Sequence, residues 1–258
     1  MKEHKWITSR GKRLSAMVHT PAAPAAGSPV AVFCHGFTGD KVGANQLMLN
    51  LATAVAGAGL RAVRFDFAGS GDSEGVFAAD TTVAGWREDL ASALAWARGE
   101  FPGAPLFLVG HSLGGLVVLC ETDPEVAGRV AVAPVVYPLA NFADTILGRE
   151  LWTKALQGER IANFYGKGFA LDSGFVADLV AADYQPLAAA GAYDAPLLII
   201  HGTADVAVPL AGSRELYAGY RGPKEMALLE ADHVFTGRHQ ELGAVIVKWL
   251  GEQLNKGR

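Results

Sequence analysis

An alternation of short apolar runs with longer helix-like stretches constrains the fold of this 258-residue chain more than any other feature. Short apolar runs are typical of buried strands, and the stretches between them are long enough to form crossover helices. The pattern therefore predicts an α/β fold with a mostly parallel sheet flanked by helices. Parallel strands are predicted at residues 30–33, 62–65, 106–109, 130–133, 197–200 and 226–229, preceded by an antiparallel edge at 5–9 and 14–19. Helices are predicted at about 44–58, 83–98, 113–121, 210–220 and 237–254.

The alternation lapses between residues 137 and 190, where aromatic side chains stand among polar ones. These aromatic residues include Phe142, Trp152, Phe164, Tyr165, Phe169 and Phe175. A long crossover between two strands and a cap folded over the mouth of the sheet both fit this segment. Structureless loops of such length are uncommon, so we favour a mostly helical cap. The predicted organisation is an α/β core of residues 1–136 and 191–258, interrupted by a cap or lid at 137–190.

Composition excludes several classes of function. The 26 acidic and 22 basic residues give a net charge of −4 without a block of like charge, which argues against a nucleic-acid partner. The chain has no apolar run of the ~20 residues that a membrane-spanning helix requires. The two cysteines, Cys34 and Cys120, are too few for a disulfide scaffold and lack metal-ligand spacing. We therefore expect a soluble, cytoplasmic protein without a metal site.

The residues that carry chemistry begin at Gly110-His111-Ser112-Leu113-Gly114, directly after a predicted strand and before a predicted helix. This is a Gly-x-Ser-x-Gly pattern in the strand-turn-helix context that gives it meaning. The small residues allow a strained turn that presents the Ser112 hydroxyl at the carboxyl end of the sheet, and the helix N-terminus favours negative charge there. Ser112 is therefore the candidate nucleophile, and a purely structural turn is the alternative.

A serine hydroxyl needs a base to accept its proton, and the chain offers seven histidines. His233 follows the predicted strand 226–229 and precedes the last helix, which places it at the same edge of the sheet as Ser112. We predict that His233 is the base. The other histidines are interpreted as structural or exposed residues: His4, His19, His35, His111, His201 and His239.

The base in turn needs a carboxylate that fixes its tautomer. Asp205 lies in the loop after the predicted strand 197–200, between the serine and the histidine in chain order. Asp232 is the main rival, but a residue adjacent to His233 can seldom turn its carboxylate onto the Nδ1 atom of that ring. We therefore predict that Asp205 orients His233.

Hydrolysis through a serine also needs an oxyanion hole. The backbone N–H of Leu113, the residue after the nucleophile, is one predicted donor. The second is the backbone N–H of Phe37, in the glycine-containing loop after strand 30–33, although this loop could also be a turn without a catalytic role. Residues 66–75 also contain several glycines, but they lack the phosphate-loop patterns, so we interpret them as a scaffolding turn and expect no nucleotide.

Taken together, these motifs resemble those of the α/β-hydrolase superfamily. Within that superfamily, their sequences look closest to small bacterial carboxylesterases of the cinnamoyl or feruloyl esterase type. The matching motifs are His35-Gly36-Phe37-Thr38-Gly39, Arg64-Phe65-Asp66-Phe67, Gly69-Ser70-Gly71-Asp72-Ser73, Gly110-His111-Ser112-Leu113-Gly114-Gly115, His201-Gly202-Thr203-Ala204-Asp205 and Asp232-His233. The resemblance implies hydrolysis of small-molecule esters with a bulky, often aromatic acyl group, and it implies no cofactor. We expect the chain to be a monomer or a homodimer.

Other hydrolase activities are compatible with the same three side chains, Ser112, Asp205 and His233. A lipase, a thioesterase, a peptidase or a carbon–carbon hydrolase would use them on another bond or acyl acceptor. A non-catalytic binding protein could also be built on this fold, since fold alone does not imply function.

Overall fold

The computed structural model describes residues 1–24, 27–164 and 168–256, so Tyr165 of the predicted cap lies outside the described residues. The strands are β1 Lys2–Ser9, β2 Lys12–His19, β3 Val30–Cys34, β4 Arg61–Phe65, β5 Leu106–His111, β6 Val126–Val132, β7 Ile161–Phe164, β8 Phe169–Leu171, β9 Leu197–Gly202 and β10 Lys224–Leu229. The helices are α1 Leu47–Gly57, α2 Phe77–Asp80, α3 Val83–Glu100, α4 Leu113–Leu119, α5 Pro138–Asn141, α6 Arg149–Leu156, α7 Gly174–Ala182, α8 Pro186–Ala190, α9 Leu210–Gly219 and α10 His239–Lys256.

Eight of the described strands form one sheet in the order β1-β2-β4-β3-β5-β6-β9-β10. β1 pairs with β2 and β2 with β4 in antiparallel fashion, and the other neighbours are parallel. The predicted mostly parallel sheet with an antiparallel edge is therefore confirmed. Because β3, β5, β6, β9 and β10 run the same way, the loops that follow them open at one edge of the sheet, where α/β sites form.

The central strands are buried on both faces, as their continuous apolar runs predict. Along β3, Ala31 and Phe33 pack against α1 and α10, while Val30 and Val32 lie in a separate apolar cluster on the other face. That second cluster includes Trp86 of α3. This alternation with a period of two residues matches helices packed on both sides of the sheet.

The segment between β6 and β9 contains helices α5 to α8 and a short antiparallel hairpin of β7 and β8. Phe142, Phe164 and Phe175 from this segment are buried in the same apolar cluster as the core helix α3. The segment is therefore packed onto the core through phenyl rings. Its description as a cap or lid stays a prediction.

Strand β6 differs most from the sequence prediction, since it begins at Val126 rather than at residue 130. The register between β5 and β6 shifts after Leu106, and Gly128 and Arg129 interrupt the apolar run that marks a strand. A Cβ atom at Gly128 would lie 3.0 Å from the Trp249 ring, so the glycine makes room for that indole. Gly128 thus allows α10 to pack closely against the sheet. Because this glycine interrupts the apolar pattern, the start of β6 could not be recognised in the sequence.

Among the helices of the described ranges, none combines the length and the apolar character needed to cross a bilayer.

Candidate active site

Ser112 sits at the turn between β5 and α4 with φ 56° and ψ −118°, in a region that non-glycine residues rarely occupy. Its backbone is held from two sides. The Ser112 N–H donates to the Val132 carbonyl at 3.0 Å, and the Ser112 carbonyl accepts from Gly115, Leu116 and Val135 at 3.0, 3.2 and 3.1 Å. These bonds offset the strain of the turn and fix the direction in which the hydroxyl points.

The glycines of the motif are required by close backbone contacts. A Cβ atom at Gly110 would lie 2.3 Å from the Gly114 carbonyl oxygen, and a Cβ atom at Gly114 would lie 2.4 Å from the Cys34 carbonyl oxygen and 2.5 Å from that of His35. Both separations are far shorter than a carbon and an oxygen tolerate. The turn therefore packs directly against the end of β3 and the loop that follows it.

The structure brings the three predicted side chains into one hydrogen-bonded chain. The Nε2 atom of His233 lies 3.0 Å from Ser112 Oγ, and its Nδ1 atom lies 2.7 Å from Asp205 Oδ2. A carboxylate only accepts hydrogen bonds, so Nδ1 carries the proton and Nε2 presents its lone pair to the serine hydroxyl. This geometry suits the transfer of a proton from the hydroxyl to the imidazole.

Asp205 is anchored by several groups besides His233. Its Oδ1 atom accepts from the N–H groups of Ala207 and Val208, both at 2.9 Å, and its side chain is fully buried. Burial opposes ionisation, but hydrogen bonds from His201 and His233 outweigh it and hold the pKa of Asp205 well below its usual range. The carboxylate therefore stays ionised and can stabilise a positive charge on His233.

His201 has a part in the site that the sequence analysis missed. It is fully buried, and its Nε2 atom lies 3.0 Å from the Val208 carbonyl and 3.3 Å from Asp205 Oδ2. Its Nδ1 atom lies 2.7 Å from Ser213 Oγ. The chain of polar contacts thus extends beyond the three predicted residues. The sequence His201-Gly202-Thr203-Ala204-Asp205 contains both residues, but only the fold shows that the first side chain contacts the last.

His111 supports His233 from the other side. Its Nε2 atom donates to the backbone carbonyl of His233 at 2.8 Å, and the two rings lie 4.8 Å apart. Burial and the neighbouring His233 lower the pKa of His111 to about 3, so it is neutral at physiological pH. The residue before the serine therefore fixes the loop that carries the candidate base.

The two predicted oxyanion donors belong to segments that adjoin Ser112, since Leu113 follows it in the chain and Phe37 follows Gly36. A Cβ atom at Gly36 would lie 3.0 Å from Ser112 Cβ, so the loop that contains Phe37 touches the serine. In the described part of the chain, no hydrogen bond uses the N–H of Phe37 or that of Leu113. Two unpaired donors near a serine hydroxyl are what a developing oxyanion requires.

The Phe37 ring holds this loop in place. Its centroid lies between 5.0 and 5.7 Å from the ring centroids of Phe77, Phe142, Phe164 and Phe175. Offset and edge-to-face contacts of this kind stabilise by about 0.5–1.5 kcal/mol each beyond the area they bury. Three of the four partners belong to the segment between β6 and β9, so that segment and the Phe37 loop are packed as a unit.

A cavity of about 420 Å³ opens beside Ser112 and His233. Apolar groups form much of its wall, among them Leu47, Met48, Ile146 and Phe169. Thr38 and Asp40 are among the polar residues that line it. The volume suits a small molecule with an apolar portion.

The remaining candidates lie outside the hydrogen-bonded chain. The rival acid Asp232 accepts from the Thr236 N–H at 2.9 Å rather than from His233. His239, expected to be exposed inside the last helix, is its first residue and is half-buried between Asn50 and the Val234 carbonyl. Over the described ranges, no group of three or more His, Cys, Asp and Glu side chains is arranged to hold a metal ion.

Comparisons with known proteins identify a family and several relatives. The family model Hydrolase_4, described as serine aminopeptidase S33, matches residues 27–162. The uncharacterized protein YfhR of Salmonella typhimurium is 34% identical over 185 residues, which cover 69% of this chain and 57% of YfhR. The chain thus spans little more than half the length of that relative. A monoacylglycerol lipase of Mycolicibacterium smegmatis is 26% identical over 240 residues, which cover 83% of this chain and 82% of the lipase.

Solved structures share the fold over nearly the whole chain. Est1E from Butyrivibrio proteoclasticus, with ferulic acid bound, superposes with a TM-score of 0.81 at 20% identity and covers 97% of this chain and 99% of its own. The alpha/beta hydrolase GrgF from Penicillium superposes with a TM-score of 0.75 at 18% identity over 98% of both chains.

Proposed function

Because this chain belongs to the serine aminopeptidase S33 family and has the α/β-hydrolase fold, we propose that it is a serine ester hydrolase, a carboxylesterase that uses Ser112, His233 and Asp205. The expected fold and superfamily are confirmed by the sheet order and the family match. The hydrogen-bonded chain from Ser112 Oγ through His233 to Asp205, beside a cavity with a partly apolar wall, carries the proposal.

The proposed reaction has two halves. Ser112 Oγ attacks the ester carbonyl while its proton passes to His233 Nε2, and the buried Asp205 carboxylate stabilises the imidazolium. The N–H groups of Phe37 and Leu113 bind the oxyanion. As the bond to the leaving oxygen breaks, His233 returns the proton to that oxygen and an acyl-enzyme remains on Ser112. Water then attacks the acyl carbonyl with His233 as its base. The bond to Ser112 Oγ breaks, His233 returns the proton to Ser112, and the acid is released.

The substrate class is inferred from the cavity and from the relatives. Its apolar wall favours an ester with an aliphatic or aromatic portion, and its volume of about 420 Å³ favours a small molecule. A lipase relative and a neighbour that binds ferulic acid support an ester substrate, with feruloyl and cinnamoyl esters among the candidates. We propose that residues 137–190 act as a cap that lines the acyl side, through Ile146 and Phe169.

The test compares p-nitrophenyl butyrate, a long-chain acylglycerol, a thioester, methyl ferulate and an aminoacyl p-nitroanilide. We expect turnover of the short-chain and aromatic esters and its loss in Ser112→Ala, by several orders of magnitude, while circular dichroism shows a folded protein. A fluorophosphonate probe should label the wild type and not the variant. Turnover in Ser112→Ala equal to that of the wild type would refute the assignment.

A peptidase is the second candidate, because the matching family model is described as serine aminopeptidase. The same three side chains can protonate a leaving amine. Faster hydrolysis of the aminoacyl p-nitroanilide than of any ester would favour this function over the first.

Location in the cytoplasm and a monomeric or dimeric state stay predictions. The two free, buried thiols of Cys34 and Cys120 support a reducing compartment.

A further inference from the structure

An acidic residue belongs to the wall of the cavity beside Ser112. Asp40 belongs to the loop that follows β3 and is one of the residues that line the cavity. Its Oδ1 atom accepts hydrogen bonds from the N–H groups of Val42 at 2.7 Å and Gly43 at 2.8 Å. Both bonds converge on one carboxylate oxygen, so the carboxylate has a fixed position while its second oxygen is not used by either bond.

No basic side chain offsets this charge within the described wall of the cavity. Lys41, the next residue, is turned away from it and is buried. Its Nζ atom lies 2.5 Å from Asp66 Oδ2 and 2.6 Å from Asp72 Oδ2. A lysine held by two carboxylates has no ammonium group left for a substrate. Arg64, which donates to the Lys41 carbonyl at 2.8 Å, interacts electrostatically with Asp40 from behind the loop, but it does not line the cavity.

The histidines of the cavity do not supply positive charge either. Burial lowers the pKa of His35, and burial together with the neighbouring His233 lowers that of His111 to about 3. Both rings are therefore neutral at physiological pH. Asp205 adds a second negative charge behind His233. The described surroundings of Ser112 are thus net negative when His233 is in its neutral, basic form.

We propose that Asp40 determines charge selectivity at this site: the enzyme accepts esters whose acyl and alcohol portions are neutral or cationic and rejects esters that carry a carboxylate, phosphate or sulfate group. This inference rests on the proposed ester hydrolase function. It excludes half-esters of dicarboxylic acids, acyl phosphates and nucleotide-linked thioesters as good substrates. In partly hydrated surroundings, two like charges about 6–10 Å apart change binding by roughly four- to ten-fold.

The test uses three aryl butyrates of similar size whose ring carries a methyl, a carboxylate or a trimethylammonium group in the para position. A second series places the charge on the acyl side: ethyl valerate, monoethyl glutarate and ethyl 4-(dimethylamino)butyrate. The readout is kcat/KM for each ester in the wild type and in Asp40→Asn. Asparagine keeps a carbonyl oxygen for the N–H groups of Val42 and Gly43, so the variant removes charge without removing the acceptor.

The ratio of anionic to neutral kcat/KM should rise about four- to ten-fold in Asp40→Asn in at least one series, and the ratio of cationic to neutral should fall. Differences in intrinsic reactivity cancel, because the same esters are compared in both proteins. Glu88→Gln is the matched control: it removes the same charge from an exposed position on α3, outside the cavity, and should leave the ratios unchanged. The effect of Asp40 should also shrink as salt is raised.

Two failures are distinguishable. Turnover of all esters that persists in Ser112→Ala would refute the proposed function. Ser112-dependent turnover whose charge ratios change less than three-fold in both series on Asp40→Asn would leave the hydrolase function standing and overturn the role of Asp40. A preference of the wild type for the anionic esters over the neutral ones in both series would overturn it as well.

Discussion

Replacement of Gly114 by alanine tests whether close packing of the serine turn sets the geometry of the oxyanion hole. The new Cβ atom would lie 2.4 Å from the Cys34 carbonyl oxygen, 0.6 Å short of the 3.0 Å below which such contacts are essentially never found. The His35 carbonyl oxygen would lie 2.5 Å from the same Cβ atom. Both oxygens belong to the backbone, so no side chain can rotate away to relieve the contact. The turn that carries Leu113 and the loop that carries Phe37 must therefore move apart by several tenths of an ångström.

Two consequences follow from this displacement. Overpacking of a tight interior site costs about 1–3 kcal/mol of unfolding free energy. The catalytic cost arises because the N–H of Phe37 and the N–H of Leu113 lie on opposite sides of the contact. Loss of one oxyanion donor lowers kcat by about 10²–10³-fold, and a partial displacement should cost less. We therefore expect Gly114→Ala to lower kcat about 10- to 100-fold with a small change in KM.

The assay is ester hydrolysis at saturating substrate together with urea unfolding of the same preparations. Gly251→Ala is the control, because a Cβ atom at this position of α10 meets nothing within 4 Å. It should raise the unfolding free energy by about 0.5–1 kcal/mol, as removal of a helical glycine does, and leave kcat unchanged. Wild-type kcat and wild-type stability in Gly114→Ala would show that the described contact does not constrain the site.

Three further predictions concern ionisable groups. Asp205→Asn should lower kcat by about 10³–10⁴-fold in steady-state assays, because an amide cannot stabilise the imidazolium. The kcat of Asp232→Asn should stay within about two-fold of the wild type. A larger loss in Asp232→Asn than in Asp205→Asn would show that Asp232 orients His233. His201→Ala should lower kcat by about ten-fold or more through loss of a hydrogen bond to a charged group, and His201→Gln, which keeps a donor, should recover most of it; equal activity of both variants would argue against a positioning role for His201. Burial and the charge of Arg64 lower the pKa of His19 to about 4, below its usual value of 6.5, so its contribution to stability is complete above pH 6.5 and is lost as pH falls towards 4. Urea unfolding between pH 4 and 6.5 should show stability rising with pH, and His19→Gln should flatten this slope by up to about 1.4 kcal/mol per pH unit; an unchanged slope would contradict the assignment.

Much of the sheet could be predicted from the sequence because its strands are buried on both faces. The runs at β3, β5 and β9 are continuously apolar, so their existence does not depend on knowing their neighbours. Strand β6 was placed four residues late, because the glycine and arginine at its start serve packing in the folded protein rather than strand propensity. The short hairpin of β7 and β8 was not predicted, since its few residues lack a distinctive pattern.

The candidate site was predictable for a related reason. The carboxyl ends of parallel strands meet at one edge, so residues that follow different strands can be expected near each other before any distance is known. This argument selected Ser112, Asp205 and His233. It could not assign His201, because nothing in the sequence shows that the loop after β9 turns back and brings the Asp205 carboxylate to this buried ring.

The sequence by itself determined which segments are strands and helices, and which side chains stand at strand ends, because apolar periodicity and turn residues act locally. The tertiary structure decided the distances on which chemistry depends: the 3.0 Å and 2.7 Å contacts of His233 and the backbone contact of Gly114 with the end of β3. It also placed Asp40 in a cavity wall whose described residues include no lysine or arginine. Such contacts join residues more than a hundred positions apart in some cases, and local propensities carry no information about them. They are fixed only when the whole core packs at once.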